Sequence, residues 1–513
     1  MFSPVLSMGL AGIQGYMVTV EVDCQRGLPQ FDLVGLPDAA VKEARERVRS
    51  AARNLGLAWP DSRVLVNLAP ADTKKTGPIY DLPILLGLLL ASGQCDMDLS
   101  GCAFAGELSL DGRLRPVRGA LSMVLAARQA GIQRVFLPME NGGEGAAIPG
   151  ITVHPVATAG EILDHFIRGK QLPAAGELSF PPPPSPPAPD FADVRGQQNA
   201  KRAMEVAAAG GHNILLIGPP GTGKSMLAKR LPSILPRLTF QESVETTQVH
   251  SAAGVLPHGS SLVETPPFRA PHHTISPAGL AGGGVPPRPG EISLAHNGVL
   301  FLDELPEFPK VAMEVLRQPL EDGGITISRS SGRSSFPCRF MLAAAMNPCP
   351  CGYFGHPSQP CRCTPTKKAV YLSRISGPLL DRLDIHVEVP PVEYRELTGE
   401  EAGETSAAIR QRVEAAREVQ RQRYQGTGIP CNARLTPARL REFCVLSPDA
   451  QRLMETAFDK LGLSARSYDR LLRVSRTVAD LAGEKVIGAD AVAEAIQYRN
   501  LDRKYWQADV REL

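Results

Sequence analysis

Eight consecutive residues, Gly218, Pro219, Pro220, Gly221, Thr222, Gly223, Lys224 and Ser225, have the types and spacing that hold a polyphosphate. Glycines let backbone N–H groups turn inward around phosphate oxygens, and the helix start that follows adds the positive end of its dipole. Lys224 can reach the β and γ phosphates of ATP, and the Ser225 hydroxyl can hold Mg²⁺. The apolar run Asn213 to Ile217 precedes the loop and the helical run Met226 to Leu231 follows it. Strand, glycine loop and helix in that order are what a P-loop requires. Farther along, Val299 to Leu302 reads as an apolar strand ending in Asp303 and Glu304. Asp303 would complete the Mg²⁺ shell with Ser225, and Glu304 would orient and deprotonate the attacking water. Alone, the pattern would be a strand ending in a solvated turn; downstream of a P-loop it reads as Walker B. A third strand, Arg339 to Met346, ends in Asn347, which can help position that water or simply cap its strand.

Cys349, Cys351, Cys361 and Cys363 form two Cys-x-Cys pairs separated by nine residues. Four thiolates suit a closed tetrahedral Zn²⁺ site, with reduced thiols as the alternative because Cys-x₂-Cys is the commoner spacing. Cys24, Cys95, Cys102, Cys338, Cys431 and Cys444 are scattered and read as plain core or surface thiols. His272 and His273 lack metal-ligand spacing for one helical face and read as structural or polar contacts.

These residues must be carried by a large framework. The chain has 513 residues, enough for about three domains. Its apolar fraction of 43% and charged fraction of 21% are those of a soluble protein. A net charge of +2 means that any nucleic-acid contact must come from local patches. The longest apolar run, Leu82 to Ala91, is too short to span a bilayer, so no membrane partner is expected. Met1-Phe2-Ser3-Pro4 opens no signal peptide, which favours the cytoplasm and reduced thiols.

The proline tract within residues 173–190 predicts an extended linker, because proline fixes φ and donates no hydrogen bond. Before it, residues 1–172 alternate strand and helix signals. Tyr16 to Val22, Arg63 to Leu68 and Arg134 to Leu137 read as strands; Ala39 to Leu55, Leu82 to Ser92 and Ala120 to Ala130 read as helices. Ala105 to Leu114 reads as a hairpin with an Asp-Gly turn. After the linker, residues 191–395 form the P-loop module and residues 396–513 are helical. Ile409, Val413, Ala416 and Val419 predict one buried helix face, and the basic residues from Ile409 to Tyr424 a solvated one. Ser447, Ser464 and Asp490 are predicted helix caps.

The phosphate loop, the paired acids and the polar strand end together resemble the AAA+ class of ATPases, which work as oligomers. The resemblance implies an arginine finger donated by a neighbouring subunit. Arg382, in Leu379-Leu380-Asp381-Arg382-Leu383-Asp384, matches that region, with Arg374 second. Arg466 is similar to the sensor-2 arginine that contacts the nucleotide, with Arg473 as fallback. The long stretch between P-loop and Walker B contains Pro267 to Ser276 and Gly279 to Gly284, which resembles the helix-2 insert of the branch holding magnesium chelatases and MCM helicases. Gly324 to Phe336 reads as strand, Ser-Gly turn and strand, similar to the pre-sensor-1 hairpin that lines the pore of such rings. Arg329 and Arg333 there could contact phosphates without reading sequence, or could be solvated surface arginines.

With the segment Met346 to Tyr353 added, the chain is identified as a member of the magnesium-chelatase-like AAA+ family, essentially end to end. The resemblance implies an α/β P-loop AAA+ core with a helical lid, preceded by an α+β Lon-protease-like (ribosomal S5 domain 2-like) domain. It further implies ATP and Mg²⁺ as cofactors and a homohexameric ring. The implied activity is a motor on single-stranded or branched DNA, a branch-migration helicase serving integration of incoming DNA in natural transformation. An ATPase subunit for metal insertion and a protein-remodelling ATPase are the alternatives.

Gly106 to Val117 resembles the proteolytic domain of Lon, which uses a serine nucleophile activated by a lysine. The serine position, after Gly77-Pro78, holds Ile79, and the lysine position falls on Leu121. Two aliphatic groups carry no acyl-transfer chemistry, so this domain is expected to be a non-catalytic scaffold.

Overall fold

Apolar runs with no polar alternation must be covered on both faces, and parallel strands flanked by helices provide that cover. Ile214–Ile217, Val299–Leu302 and Met341–Met346 are such runs, and every residue in them is buried. In the computed structural model they form the centre of a five-stranded parallel sheet. Its order is Phe268–Arg269, Val299–Leu302, Met341–Met346, Ile214–Ile217, Ile385–Glu388. The strand ending in Asn347 therefore lies between the P-loop strand and the Walker B strand. The structure describes residues 2–180, 189–257, 259–329, 332–392, 403–461, 463–499, 501 and 503–507.

The first domain is built on a seven-stranded mixed sheet. Its central pair, Phe2–Ala11 and Gln14–Gln25, is a long antiparallel hairpin whose first strand the sequence reading missed. The expected helix Ala39 to Leu55 is two pieces, Ala39–Lys42 and Ala44–Asn54, broken at Glu43. The hairpin around Asp111-Gly112 is present, pairing Glu107–Leu108 with Leu114–Arg115. Of the expected linker, Ala175 and Phe180 pack onto the first domain, and the tract 181–188 lies outside the described residues.

Asp81 starts the buried helix Asp81–Ala91, and its carboxylate is fully enclosed. Arg47 meets it with two hydrogen bonds of 2.6 and 3.0 Å, and the Leu108 N–H adds a third at 3.2 Å. Burial pushes the Asp81 carboxyl up to about 6, while the Arg47 guanidinium pulls the other way. Removing one partner of such a pair leaves a buried charge uncompensated. Arg47→Met is expected to destabilise the first domain by about 2–4 kcal/mol at neutral pH. Urea unfolding followed by Trp59 fluorescence in a Trp506→Phe background measures this. The penalty should shrink as pH falls toward about 6, because without the Arg47 guanidinium Asp81 takes up its proton at a higher pH than it does in the pair.

The C-terminal helices pack against the core through Ser406–Arg423, which lies along Gln198–Gly210. Its buried positions are Ser406, Ile409, Val413, Ala416 and Gln420; Val419 is exposed. A period of 3.6 carries the inward face one residue past the valine. Its arginines are less solvated than expected, because Arg412 pairs with Glu205, Arg417 meets the Ala208 carbonyl and Arg423 pairs with the buried Asp480. Ser447 and Ser464 each accept from the first turn of their helices, but Asp490 lies inside its helix and Gly488 is the cap residue.

The two domains meet at helix Phe240–Ala253. The buried Glu144 carboxylate accepts from the Leu121 backbone N–H at 3.2 Å and from the Ser251 hydroxyl of that helix. The Gly119 N–H donates to Ser251 Oγ at 3.0 Å.

Candidate active site

The P-loop connects the end of Ile214–Ile217 to helix Lys224–Ile234, as the strand–loop–helix context required. Its glycines answer two different constraints. A Cβ on Gly218 would lie 2.2 Å from the Val389 carbonyl oxygen, so the loop can cross the neighbouring strand end only there without a side chain. Gly223 has φ of +87°, a conformation that L side chains rarely adopt. Thr222 Oγ1 donates to the Pro219 carbonyl at 3.0 Å and closes the loop.

Lys224 is buried and donates to Gly218 O at 2.6 Å, Pro219 O at 2.7 Å and Asn347 Oδ1 at 3.2 Å. Burial pulls its ammonium down to about 8, against the attraction of Asp303 and Glu304. Carbonyl and amide oxygens thus occupy donors that a polyphosphate would take. Ser225 Oγ donates to Asp303 Oδ2 at 2.6 Å, which brings the two expected Mg²⁺ ligands together. Asn347 reaches the site because its strand lies between the other two, a placement that no local sequence signal specifies.

Glu304 has φ of +52°, the left-handed region, and its carboxylate is half-exposed. Non-glycine residues in that region cluster at functional sites. His273 Nδ1 stands 3.3 Å from Glu304 Oε2, and the His272 ring lies against His273 with centroids 4.1 Å apart. His273, expected from its spacing only to make structural or polar contacts, thus stands beside the candidate water-activating carboxylate. Its adjacency depends on how the insert after helix Phe240–Ala253 folds back over Walker B, which spacing does not encode.

The arginines are placed apart from this cluster. Arg382 is mostly buried, held by Glu321 and by the Pro378 carbonyl. Arg374 pairs with Glu307 at 2.9 Å, just beyond Walker B. Arg466 is exposed on helix Ala465–Leu481, with no ion pair among the described residues. Arg473, on the same helix, has a buried Nε without a hydrogen bond. Strands Gly324–Arg329 and Gly332–Pro337 form the expected hairpin, with Arg333 exposed and opposite Ser328, and Arg329 opposite Gly332. Its base packs through Ile325, Ile327 and Phe336, and the Gly12 turn of the first domain abuts Ser334. The turn residues Ser330 and Ser331 lie outside the described residues.

The thiols of Cys349, Cys351, Cys361 and Cys363 all lie within 4.8 Å of one another. Cys349 Sγ is 3.4 Å from Cys351 Sγ and 3.7 Å from Cys361 Sγ, and the latter two are 3.7 Å apart. A tetrahedron with Zn–S bonds of about 2.3 Å has sulfur separations near 3.8 Å, so the four residues fit the ion. The knuckle touches the P-loop: a Cβ on Gly352 would lie 2.6 Å from Pro220 Cδ.

In the first domain, Ile79 is buried, and Leu121 is a core side chain whose backbone N–H donates to the Glu144 carboxylate. No helix among the described residues is long and apolar enough to cross a membrane.

Residues 190–397 match the family described as magnesium chelatase, subunit ChlI. Residues 20–141 match a description of subunit ChlI of Mg-chelatase, and residues 403–499 match its C-terminal part. Competence protein ComM of Haemophilus influenzae is 44% identical over 505 residues, covering 97% of both chains. YifB of Escherichia coli is 42% identical over 502 residues, covering 96% of both. Lon protease 1 of Thermus thermophilus is 29% identical over 163 residues, 29% of this chain and 20% of the protease.

Proposed function

Because this chain belongs to the magnesium chelatase ChlI family, together with ComM and YifB, we propose that it is a ring-forming Mg²⁺-dependent ATPase that drives branch migration of DNA. The observation that carries the ATPase part is the convergence of Lys224, Ser225, Asp303 and Asn347 at one end of the parallel sheet. Lys224 and the loop N–H groups would bind the β and γ phosphates, and Ser225 and Asp303 would hold Mg²⁺, which screens their charge. Glu304 would take a proton from the attacking water, with Asn347 holding that water in line and His273 orienting the carboxylate. Arg382 would leave Glu321 on ring assembly and reach the neighbouring subunit's nucleotide, and Arg466 would contact the nucleotide from the lid. Six such subunits give a closed ring with the Gly324–Pro337 hairpins toward the pore.

DNA as substrate is supported by the exposed Arg333 on that hairpin and by the competence role in the name of the Haemophilus relative. The test is ATP turnover with and without forked or three-stranded DNA, alongside strand exchange on the same substrates. Stimulation with strand movement is expected. No stimulation by any DNA and no strand movement would remove the motor reading in favour of metal insertion or protein remodelling. The Lon-like domain serves as a scaffold on this reading, since Ile79 and Leu121 supply neither nucleophile nor base.

The four cysteines would hold a structural Zn²⁺ that braces the loop after Asn347 against the P-loop. Elemental analysis of purified protein is expected to give about one zinc per chain. Cys349→Ser should lose it and weaken ATP binding through the Gly352–Pro220 contact. Zinc well below one per chain in the unaltered protein would exclude the site.

A further inference from the structure

Because the five strands are parallel, their starts share one edge of the sheet, opposite the P-loop. A cavity of about 270 Å³ opens at that edge, beside Gly298 and Met341, between the core and helix Ser406–Arg423. Five arginines line it: Arg237, Arg339, Arg417, Arg421 and Arg434. Glu242 is the one acid among the lining residues, and its carboxylate is engaged by Thr239 N and Oγ1 at 2.9 and 2.8 Å.

The positive charge is only partly answered. Arg421 pairs with Glu418 at 2.7 Å, and Arg339 stands 3.5 Å from Glu245, a carboxylate that also meets His296 at 3.3 Å. Arg417 gives Nε and Nη2 to the Ala208 carbonyl, and Arg434 gives Nη1 to the Leu320 carbonyl. Neutral acceptors satisfy those N–H groups without balancing the charge. Arg237 has no hydrogen bond or ion pair among the described residues. Converging like charges repel, and their repulsion is relieved by an anion in the space between them. Guanidinium forks match phosphate oxygens in pairs, which lysines would not.

We propose that this cavity is a phosphate-oxyanion site, separate from the P-loop and on the opposite edge of the same sheet. The volume lies near the lower end of ligand pockets, about 300 Å³, which suits one or two phosphate groups and not a length of duplex. The phosphate can come from a free oligophosphate or from the phosphorylated end of a nucleic-acid strand; the recognition chemistry is shared.

The test uses full-length Lys224→Ala protein, so that the P-loop does not compete, and titrates it calorimetrically with inorganic pyrophosphate. Binding is expected, and Arg417→Met with Arg434→Met should weaken it by about tenfold or more. Arg237→Met changes an exposed side chain without partners and leaves the fold intact; it should weaken binding and flatten its salt dependence. In the second arm, a 5′-phosphorylated oligodeoxynucleotide is compared with its 5′-hydroxyl form. Tighter binding of the phosphorylated strand, lost with the same arginines, assigns the source to nucleic acid; pyrophosphate binding alone assigns it to free oligophosphate. No pyrophosphate binding to the Lys224→Ala protein, or binding that none of these substitutions weakens, would overturn the site.

Discussion

Glu304→Gln is expected to lower steady-state ATP turnover by about a thousandfold, the middle to upper range for a removed general base, while ATP still binds. Glutamine keeps the shape of the side chain and can still accept from His273, but it cannot take a proton from water. The groups that would hold the triphosphate are untouched, since Lys224, Ser225 and Asp303 bond to one another's surroundings and not to the Glu304 carboxylate. Two measurements separate these effects: phosphate release under saturating ATP, and equilibrium binding of a fluorescent ATP analogue. The substituted protein should also persist as an ATP-bound ring in gel filtration, because the step that empties the site is blocked. Wild-type turnover in Glu304→Gln would transfer the water-activating role to another residue.

Lys224→Ala acts one step earlier. The ammonium is enclosed at the loop, and its donors rest on three protein oxygens within 3.2 Å that a polyphosphate would replace. Each charge-assisted hydrogen bond to phosphate contributes about 1.5–3 kcal/mol, and two of them correspond to roughly a hundredfold or more in affinity. ATP binding should therefore weaken by about that factor, and the ATP-induced rise in unfolding temperature should vanish at concentrations that saturate the unaltered protein. Without nucleotide the variant should be no less stable, because burial disfavours the charge being removed. Asn347→Ala is the companion measurement. Turnover should fall while binding holds, since Asn347 offers an amide and no charge to the phosphates.

The parts of this site that were legible in the sequence are those whose chemistry is local. Gly218 to Ser225 could be read as a phosphate-binding loop without the tertiary fold, because that pattern depends on backbone dihedrals and on the strand and helix start directly beside it. The buried strands were legible for a similar reason, since unbroken apolar runs allow few alternatives. Val419 and the arginines of Ser406–Arg423 show where that reasoning stops. Apolar type suggested one face, while the true inward position, Gln420, is polar and is satisfied by the Ala209 carbonyl.

Sequence alone determined the family, and it marked Gly218 to Ser225, the Asp303–Glu304 pair and the four closely spaced cysteines as the candidates for its chemistry. Only the tertiary structure decided which residues meet across the chain: Asn347 with Lys224, His273 with Glu304, Ser251 with the Glu144 that also accepts from the Leu121 N–H, and five arginines around one cavity. Backbone geometry within a few residues is fixed by residue type, because sterics and hydrogen bonding act over that range. Contacts between residues tens to more than a hundred positions apart are set by strand order and helix packing, where many weak apolar contacts act together and no single residue records the outcome.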